Sequence, residues 1–401
     1  NFRMYNFLLA FVICCGVIIL GEVVSTLSKA WIPSVFVTAF VLLMGYWTIL
    51  PHDFIKSSFL LPFGSTLCVY LLITHLGTII SLKQLMEQWR TVVVCLAGLF
   101  GMCLLGYFVA PFFMDRALVI AGLPPLTGGV IAATMMQKAA LNAGLTVASV
   151  FAITMYCVQG FAGYPLTSIC LKKEGARLLK EYREGKITVS AEELNAVGAV
   201  TKLPEAETKK RLPLQIPDKW NSSFVILTKL GIVAWMASQL GPLTGISGAI
   251  WALVLGVVFC RLGFLDVNSC VKANSFNIMM FALMMYVFDG LKDCTPDMLL
   301  QIIGPMLVLI LIGVIGMTIF AWIIAKVLHM SFYLAFANGL TAFYGFPFDQ
   351  IITINTCKAL AKDDNEYALL MSKMFPSMIV GGFVTVTITS VFIAGIFAKM
   401  L

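Results

Sequence analysis

Long apolar runs separated by short polar breaks organise this chain. They predict membrane-crossing helices near residues 4–26, 32–50, 57–81, 91–113 and 145–170, and again near 221–241, 245–263, 273–290, 299–328 and 367–398. Each run is long enough to cross about 30 Å of hydrocarbon as a helix, some with tilt. Two stretches break the pattern. 123-LPPLTGGVIAATMMQKAALNAGL-145 and 339-GLTAFYGFPFDQIITINTCKAL-360 carry Gly, Pro, Thr, Asn and Lys where an ordinary membrane helix is uniformly apolar. Each falls between the fourth and fifth run of its half, so we expect a re-entrant hairpin or broken helix at about 118–142 and another at about 332–360. Irregular backbone at membrane depth leaves N–H and C=O groups unpaired, and it is tolerated only where protein or a water-filled cavity covers it. A matched pair of such segments points to a transporter's binding site.

The order of parts repeats, which predicts an all-α polytopic membrane protein built from two inverted repeats of five transmembrane helices. The first repeat covers 1–170, a linker 171–220, and the second repeat 221–401. His75-Leu76-Gly77 followed by 81-SLKQLMEQW-89 matches Asp289-Gly290 followed by 295-TPDMLLQII-303, and Gly101-Met102 matches Gly316-Met317, at offsets of 214 to 215. In the interrupted segments Gly128 pairs with Gly345 at 217 and Lys138-Ala139 with Lys358-Ala359 at 220. An odd number of crossings per half forces the halves to be inverted relative to each other.

Composition agrees: 60% of the 401 residues are hydrophobic, 12% are charged and the mean hydropathy is +0.95, more apolar surface than a water-soluble domain of this length buries. The first 26 residues read as a span followed by more spans, not as a removable signal peptide. Eleven cysteines show no metal-ligand spacing and mostly sit in apolar runs, where Cys packs as a small hydrophobe. The net charge of +7 is a topology signal and not a nucleic-acid one, because 11 of the 27 Lys and Arg, with 8 of the 20 acidic residues, fall in the 171–220 loop. By the positive-inside tendency that loop is cytoplasmic and both termini lie outside. Within it, 172-KKEGARLLKEYREGK-186 predicts a helical extension, and Ser190 to Glu193 a capping box for a second short helix. No Walker-type loop, HExxH or Ser/His/Asp arrangement is present, so neither ATP-driven transport nor an embedded enzyme is expected.

The candidate chemistry lies in the interrupted segments. A half-helix whose first turn sits at mid-membrane offers free N–H groups, and freed carbonyls coordinate a cation. In the first segment Pro124 and Pro125 stop the helix, Thr127 supplies a hydroxyl, and Gly128-Gly129 lets backbone approach a ligand; Tyr344, Gly345 and Pro347 take the comparable part in the second. Ionisable groups at apolar depth are costly unless paired or hydrated. They are Glu22, His75, Lys138, Lys229, Asp289, Asp349, Lys358 and Lys373. The Lys138 ammonium is placed to hold a substrate carboxylate, to stand in for a coupling cation, to snorkel, or to neutralise Asp349. Asp349 is placed to bind sodium or a proton, or to pair with a Lys. Asn142, Asn355, Thr353 and Gln137 offer amide and hydroxyl groups to sodium or a carboxylate, or simply bond between helices. Substrate binding is therefore expected at Thr127, Gly128, Gly129, Lys138, Tyr344, Gly345 and Asn355, and a sodium site at Asn142, Asp349 and Thr353. No organic cofactor is expected. Glu22, Lys229 and Lys373 lie near span ends, where snorkelling or interfacial pairing is expected, and His75 is expected to be a packing residue.

The run from Gly128-Gly129 through 144-GLTVASVFAITMYCVQGFAGYPLTSICLKK-173, with 339-GLTAFYGFPFDQIITINTCKAL-360 and Pro376, Gly381 and Gly382, resembles the bacterial sodium/glutamate symporter family within the wider sodium-coupled anion transporter group. The family's Gly-Gly-His-Gly-Thr run reads Gly128-Gly129-Val130-Ile131-Ala132 here. The resemblance implies hairpins meeting near mid-membrane, a core moving against a dimerisation scaffold, and sodium coupling in a bacterial inner membrane. The function expected is sodium-coupled symport of a small organic anion, such as an acidic amino acid or carboxylate, by a homodimer in the lipid bilayer. The alternative is a receptor that keeps a transporter fold without transport.

Overall fold

The computed structural model describes residues 7–28, 32, 34–79, 82–187, 214–217, 220–245, 248–345 and 348–401. Among these the chain is helical, with no strand. The first half holds α1 (Phe7–Leu27), α2 (Ser34–Thr48), α3 (Val69–Ile79), α4 (Trp89–Val109), α5 (Arg116–Thr127), α6 (Val130–Asn142), α7 (Thr146–Val158) and α8 (Gly160–Arg183). The second holds α9 (Ser223–Thr244), α10 (Gly248–Arg261), α11 (Phe276–Asp289), α12 (Pro296–Val327), α13 (Phe332–Leu340), α14 (Phe348–Leu360), α15 (Asp364–Gly382) and α16 (Ser390–Phe397). The helix starts follow local chemistry. Asp115 accepts from the Ala117 N–H, Thr295 from Met298 with Pro296 in the first turn, and Asp363 from Glu366.

Six helices among the described residues are long and apolar enough to cross a membrane: Phe7–Val24, Trp89–Phe112, Thr146–Arg183, Ser223–Thr244, Pro296–Val327 and Asp364–Phe397. Four of the expected spans are shorter as continuous helices. The run at 57–81 is interrupted by Phe59 in the left-handed region and by a π-helical stretch, Phe63–Cys68, leaving Val69–Ile79 as its regular part. Ser34–Thr48, Gly248–Arg261 and Phe276–Asp289 are the others. The extension expected after residue 172 is present as the end of α8, whereas Pro347 and the short helix expected from Ser190 lie outside the described residues.

At the centre α4 and α12 cross. Gly98 faces Met317, Gly101 faces Gly316 and Phe320, Met102 faces Gly313, and Val94 packs with Ala325, so the two helices run antiparallel. Small residues permit this approach, as at many helix interfaces in membranes. Since α5 follows α4 and α13 follows α12, the two interrupted segments begin at opposite ends of the crossing pair. The first, α5–α6, packs against α7 and against α16, the last helix of the chain. The second, α13–α14, packs against α8 and α15.

An ion pair and a hydrogen bond mark one end of the molecule. The Arg183 guanidinium grips Glu366 at 2.8 and 3.0 Å, tying the end of α8 to the start of α15. The Ser331 hydroxyl donates to Glu174, tying the start of α13 to the same extension. Lys229 and Lys272 both donate to Asp266 in the α10–α11 connection, and Lys229 is almost wholly buried.

Candidate functional site

Both interrupted segments break at glycine, and the two breaks meet. α5 ends at Thr127, whose hydroxyl donates to the Pro124 carbonyl, and the chain then passes through Gly128 (φ 133°) and Gly129 (φ 83°) before α6 begins. α13 continues through a 3-10 turn, Thr341–Phe343, to Gly345 (φ 63°). Thr341 donates to the Asn338 carbonyl, the same bond to the residue three before it that Thr127 makes. Only glycine adopts these angles without strain.

Val386 is the meeting point. A Cβ added at Gly128 would lie 3.0 Å from the Val386 Cα, at Gly129 2.9 Å from its Cγ1, and at Gly345 2.8 Å from its Cγ2. The same position on Gly128 is 3.1 Å from the Ala342 carbonyl oxygen, so the first break touches the second directly. Val386 belongs to a π-helical stretch, Phe383–Thr389, between α15 and α16. π-Bulges loosen the backbone ladder and often occur at functional sites. Here Thr387, Thr389 and Ser390 turn their hydroxyls back onto the carbonyls of Phe383, Val384 and Val386.

Beside this junction lies a buried polar cluster. The Asp349 side chain has no solvent exposure; Oδ1 accepts from the Gln350 N–H at 2.7 Å, and Oδ2 has no hydrogen-bond partner. No Lys or Arg pairs with Asp349 among the described residues. Its Oδ2 lies over Gly382, 2.1 Å from where a Cβ would stand, so only glycine leaves room for the carboxylate. Asn338 packs on the neighbouring Gly381 and is equally buried, and neither its Oδ1 nor its Nδ2 has a partner. Thr341 and Thr385 share a hydrogen bond of 3.1 Å between their hydroxyls. A stack of Tyr164 on Tyr344, centroids 5.0 Å apart, with Phe348 edge-on to Tyr164, walls one side, and the Tyr344 hydroxyl donates to Thr167 at 2.9 Å.

Buried polar groups in folded proteins are paired almost without exception. An unpaired buried amide costs about 1–3 kcal/mol, and an ionised carboxylate more. Asp349 and Asn338 on adjacent glycines of one helix are therefore groups to which a ligand contributes most. Their oxygens are hard donors suited to sodium, together with carbonyls at the breaks. No group of three or more His, Cys, Asp or Glu side chains stands within reach of one metal ion among the described residues.

Of the residues expected from sequence, Thr127, Gly128, Gly129, Tyr344, Gly345 and Asp349 gather at this junction, and Thr353 donates to the Asp349 carbonyl at 2.6 Å. Lys138, Asn142 and Asn355 do not join the buried cluster; all three are exposed. Lys138 is not the partner of Asp349. Its neighbour Gln137 faces inward over Gly290, with Oε1 unpartnered. Asn338, Thr341, Thr385 and Val386 were not singled out by sequence, although Asn338 is a lone amide in an otherwise apolar helix. His75 is buried against Phe276 and accepts from the Cys270 N–H, a packing role. No protein-family model matches this chain, and no curated protein matches it significantly.

Proposed function

We propose that this membrane protein is a secondary active transporter of a small organic anion, an acidic amino acid or carboxylate, driven by sodium through alternating access. The observation that carries the reading is Asp349, an acid with no counter-charge among the described residues, at the point where two glycine-broken helices meet. A carboxylate removed from water is tolerated when a cation or proton accompanies it. A site that changes its charge with cation occupancy, placed where two breaks converge from opposite ends, is the arrangement alternating access requires.

Asp349, the Asn338 amide oxygen and nearby break carbonyls would hold the coupling ion. The backbone N–H groups following Gly128-Gly129 and the Asn338 amide nitrogen would face the anion, with the Tyr164–Tyr344 stack enclosing it. The halves act as inverted repeats in this reading. It is supported by contacts that exchange under an offset of 215: Gly98 with Met317 corresponds to Gly313 with Met102, and Gly101 with Gly316 corresponds to itself. Relationship to the sodium/glutamate symporter group, a bacterial inner-membrane location, a cytoplasmic 171–220 loop and a homodimer belong to the same proposal. Uptake into proteoliposomes of a panel of acidic amino acids and mono- and dicarboxylates tests it. Gradient-dependent flux of at least one anion is expected, and its absence for all of them overturns the reading.

A further inference from the structure

The second interrupted segment is fastened to one helix at both of its ends. At its start the Ser331 hydroxyl, one residue before α13, donates to Glu174 of α8. Beside that bond the Lys173 ammonium sits 5.2 Å from the ring centroid of Tyr333, a cation–π contact. At its finish Leu360, the last residue of α14, lies against Gly175 of the same helix, where an added Cβ would stand 2.5 Å from the Leu360 Cδ1. Two residues further on, the Lys362 N–H donates to Glu366 at 2.9 Å, and Glu366 is the carboxylate that Arg183 grips. The stretch 174–183 of α8 therefore holds the chain just before α13 and just after α14.

These are directional bonds to buried carboxylates: Glu174 is 1% exposed and Glu366 4%. Arg177 holds Glu174 at 2.6 and 3.2 Å from within α8, so that carboxylate stays in place whether or not Ser331 reaches it. The first interrupted segment is held differently. It packs on the end of α16 through an apolar cluster that includes Ile120, Ala140 and Phe397. No ion pair reaches residues 116–145 among the described residues. Apolar contact is non-directional and tolerates sliding, whereas a bidentate Arg–carboxylate pair is either made or broken.

We propose that residues 174–183 are a clasp that keeps the second segment closed at the Arg183 end of the molecule, and that opening from this end toward the Asn338–Asp349 site frees both fastened ends in one step. This does not rest on the transport reading, because it concerns which part of the fold opens and not what passes.

Native cysteines report the opening. Cys357 lies within α14, and the Cys95 thiol of α4 faces the Asn338 carbonyl of α13 at 3.4 Å; neither is exposed, and lifting the segment uncovers both. Cys14 of α1, a helix packed on α2, and Cys270, whose thiol meets the Met279 sulfur, are equally buried and report general loosening. The test is alkylation of the detergent-solubilised protein by N-ethylmaleimide, read at each cysteine by peptide mass spectrometry. Native protein is compared with Ser331→Ala, Arg183→Gln and the double variant. A single opening step predicts that each change speeds Cys357 and Cys95 in the same proportion, that the double variant reaches roughly tenfold, and that Cys14 and Cys270 keep their native rates. Glu366→Gln/Ser331→Ala gives the same readout should Arg183→Gln fail to fold. Unchanged rates at Cys357 and Cys95 overturn the proposal. So does an equal rise at all four cysteines, and so does a split in which Ser331→Ala exposes Cys95 alone and Arg183→Gln exposes Cys357 alone, since the two ends would then release separately.

Discussion

Gly101 and Gly316 face each other where α4 and α12 cross: a Cβ on Gly101 would stand 2.5 Å from the Gly316 carbonyl oxygen, and one on Gly316 2.4 Å from that of Gly101. Backbone meets backbone there, with no side chain able to give way. Gly101→Ala and Gly316→Ala should each destabilise the detergent-solubilised protein by about 1–3 kcal/mol, as overpacking does. Because both push apart one contact, the double variant should cost less than the sum. Gly231→Ala, with open space around its added methyl, should cost nothing. Thermal unfolding of the four variants checks this, and additive losses would contradict a shared crossing.

Gly128 and Gly345 both press on the Val386 side chain, but only Gly128 also presses on backbone, which makes their variants separable. A methyl on Gly345 meets side-chain atoms alone, Cγ2 at 2.8 Å, whereas one on Gly128 meets Cγ2 and the Val386 Cα at 3.0 Å and the Ala342 carbonyl oxygen at 3.1 Å. Both alanine variants should lose ligand binding. Val386→Ala should partly restore Gly345→Ala, leaving the left-handed strain of about 1–2 kcal/mol, and should not restore Gly128→Ala. Folding yield and ligand-induced thermal shift distinguish the two outcomes.

The membrane class and the two interrupted segments were legible in the sequence, because apolar length and clustered Gly and Pro are local signals. The glycines at the breaks were legible for the same reason. What decides the site was not. Asp349 and Lys138 read alike in sequence, as charges within matched segments, yet one is sealed beside Gly382 and the other is exposed. Helix rotation decides that, and α6 and α14 carry too little polarity contrast to fix it. Asn338 and Val386 become important only because distant segments converge on them, a relationship that no spacing rule contains.

Lys229 and Asp266 supply a pH prediction. Burial pushes the Asp266 carboxyl up, but the hydrogen bonds and charges of Lys229 and Lys272 outweigh it and hold the group below the usual carboxylate range. A folded-state value below the unfolded one, about 3.9, means the stabilisation is present above that pH and is lost as pH falls through the lower folded value. At neutral pH Asp266→Asn should cost about 3–5 kcal/mol by leaving Lys229 buried without a counter-charge. That deficit should shrink below about pH 4, and Asp266→Asn/Lys229→Met should recover most of it. Melting temperature against pH for the three proteins measures this.

A sodium ion held by Asp349, as proposed, requires stability to depend on sodium. A bound ion at a hundred times its dissociation constant stabilises the folded protein by about 2.7 kcal/mol. Sodium, against an equal concentration of a large organic cation, should therefore raise the melting temperature of the native protein. Asp349→Asn keeps the shape but removes the charge and should abolish the rise. An unchanged sodium shift in that variant would place the ion elsewhere.

The central claim is that Asp349 couples a cation to movement of an organic anion, and the most direct measurement is initial uptake of the best anion from the panel into proteoliposomes. It is made with an inward sodium gradient, with equal sodium on both sides, and with Asp349→Asn in place of the native protein. The account predicts accumulation above equilibrium only for native protein with the gradient, and at most equilibration with Asp349→Asn. Accumulation by Asp349→Asn equal to that of the native protein, under the same gradient, would contradict it.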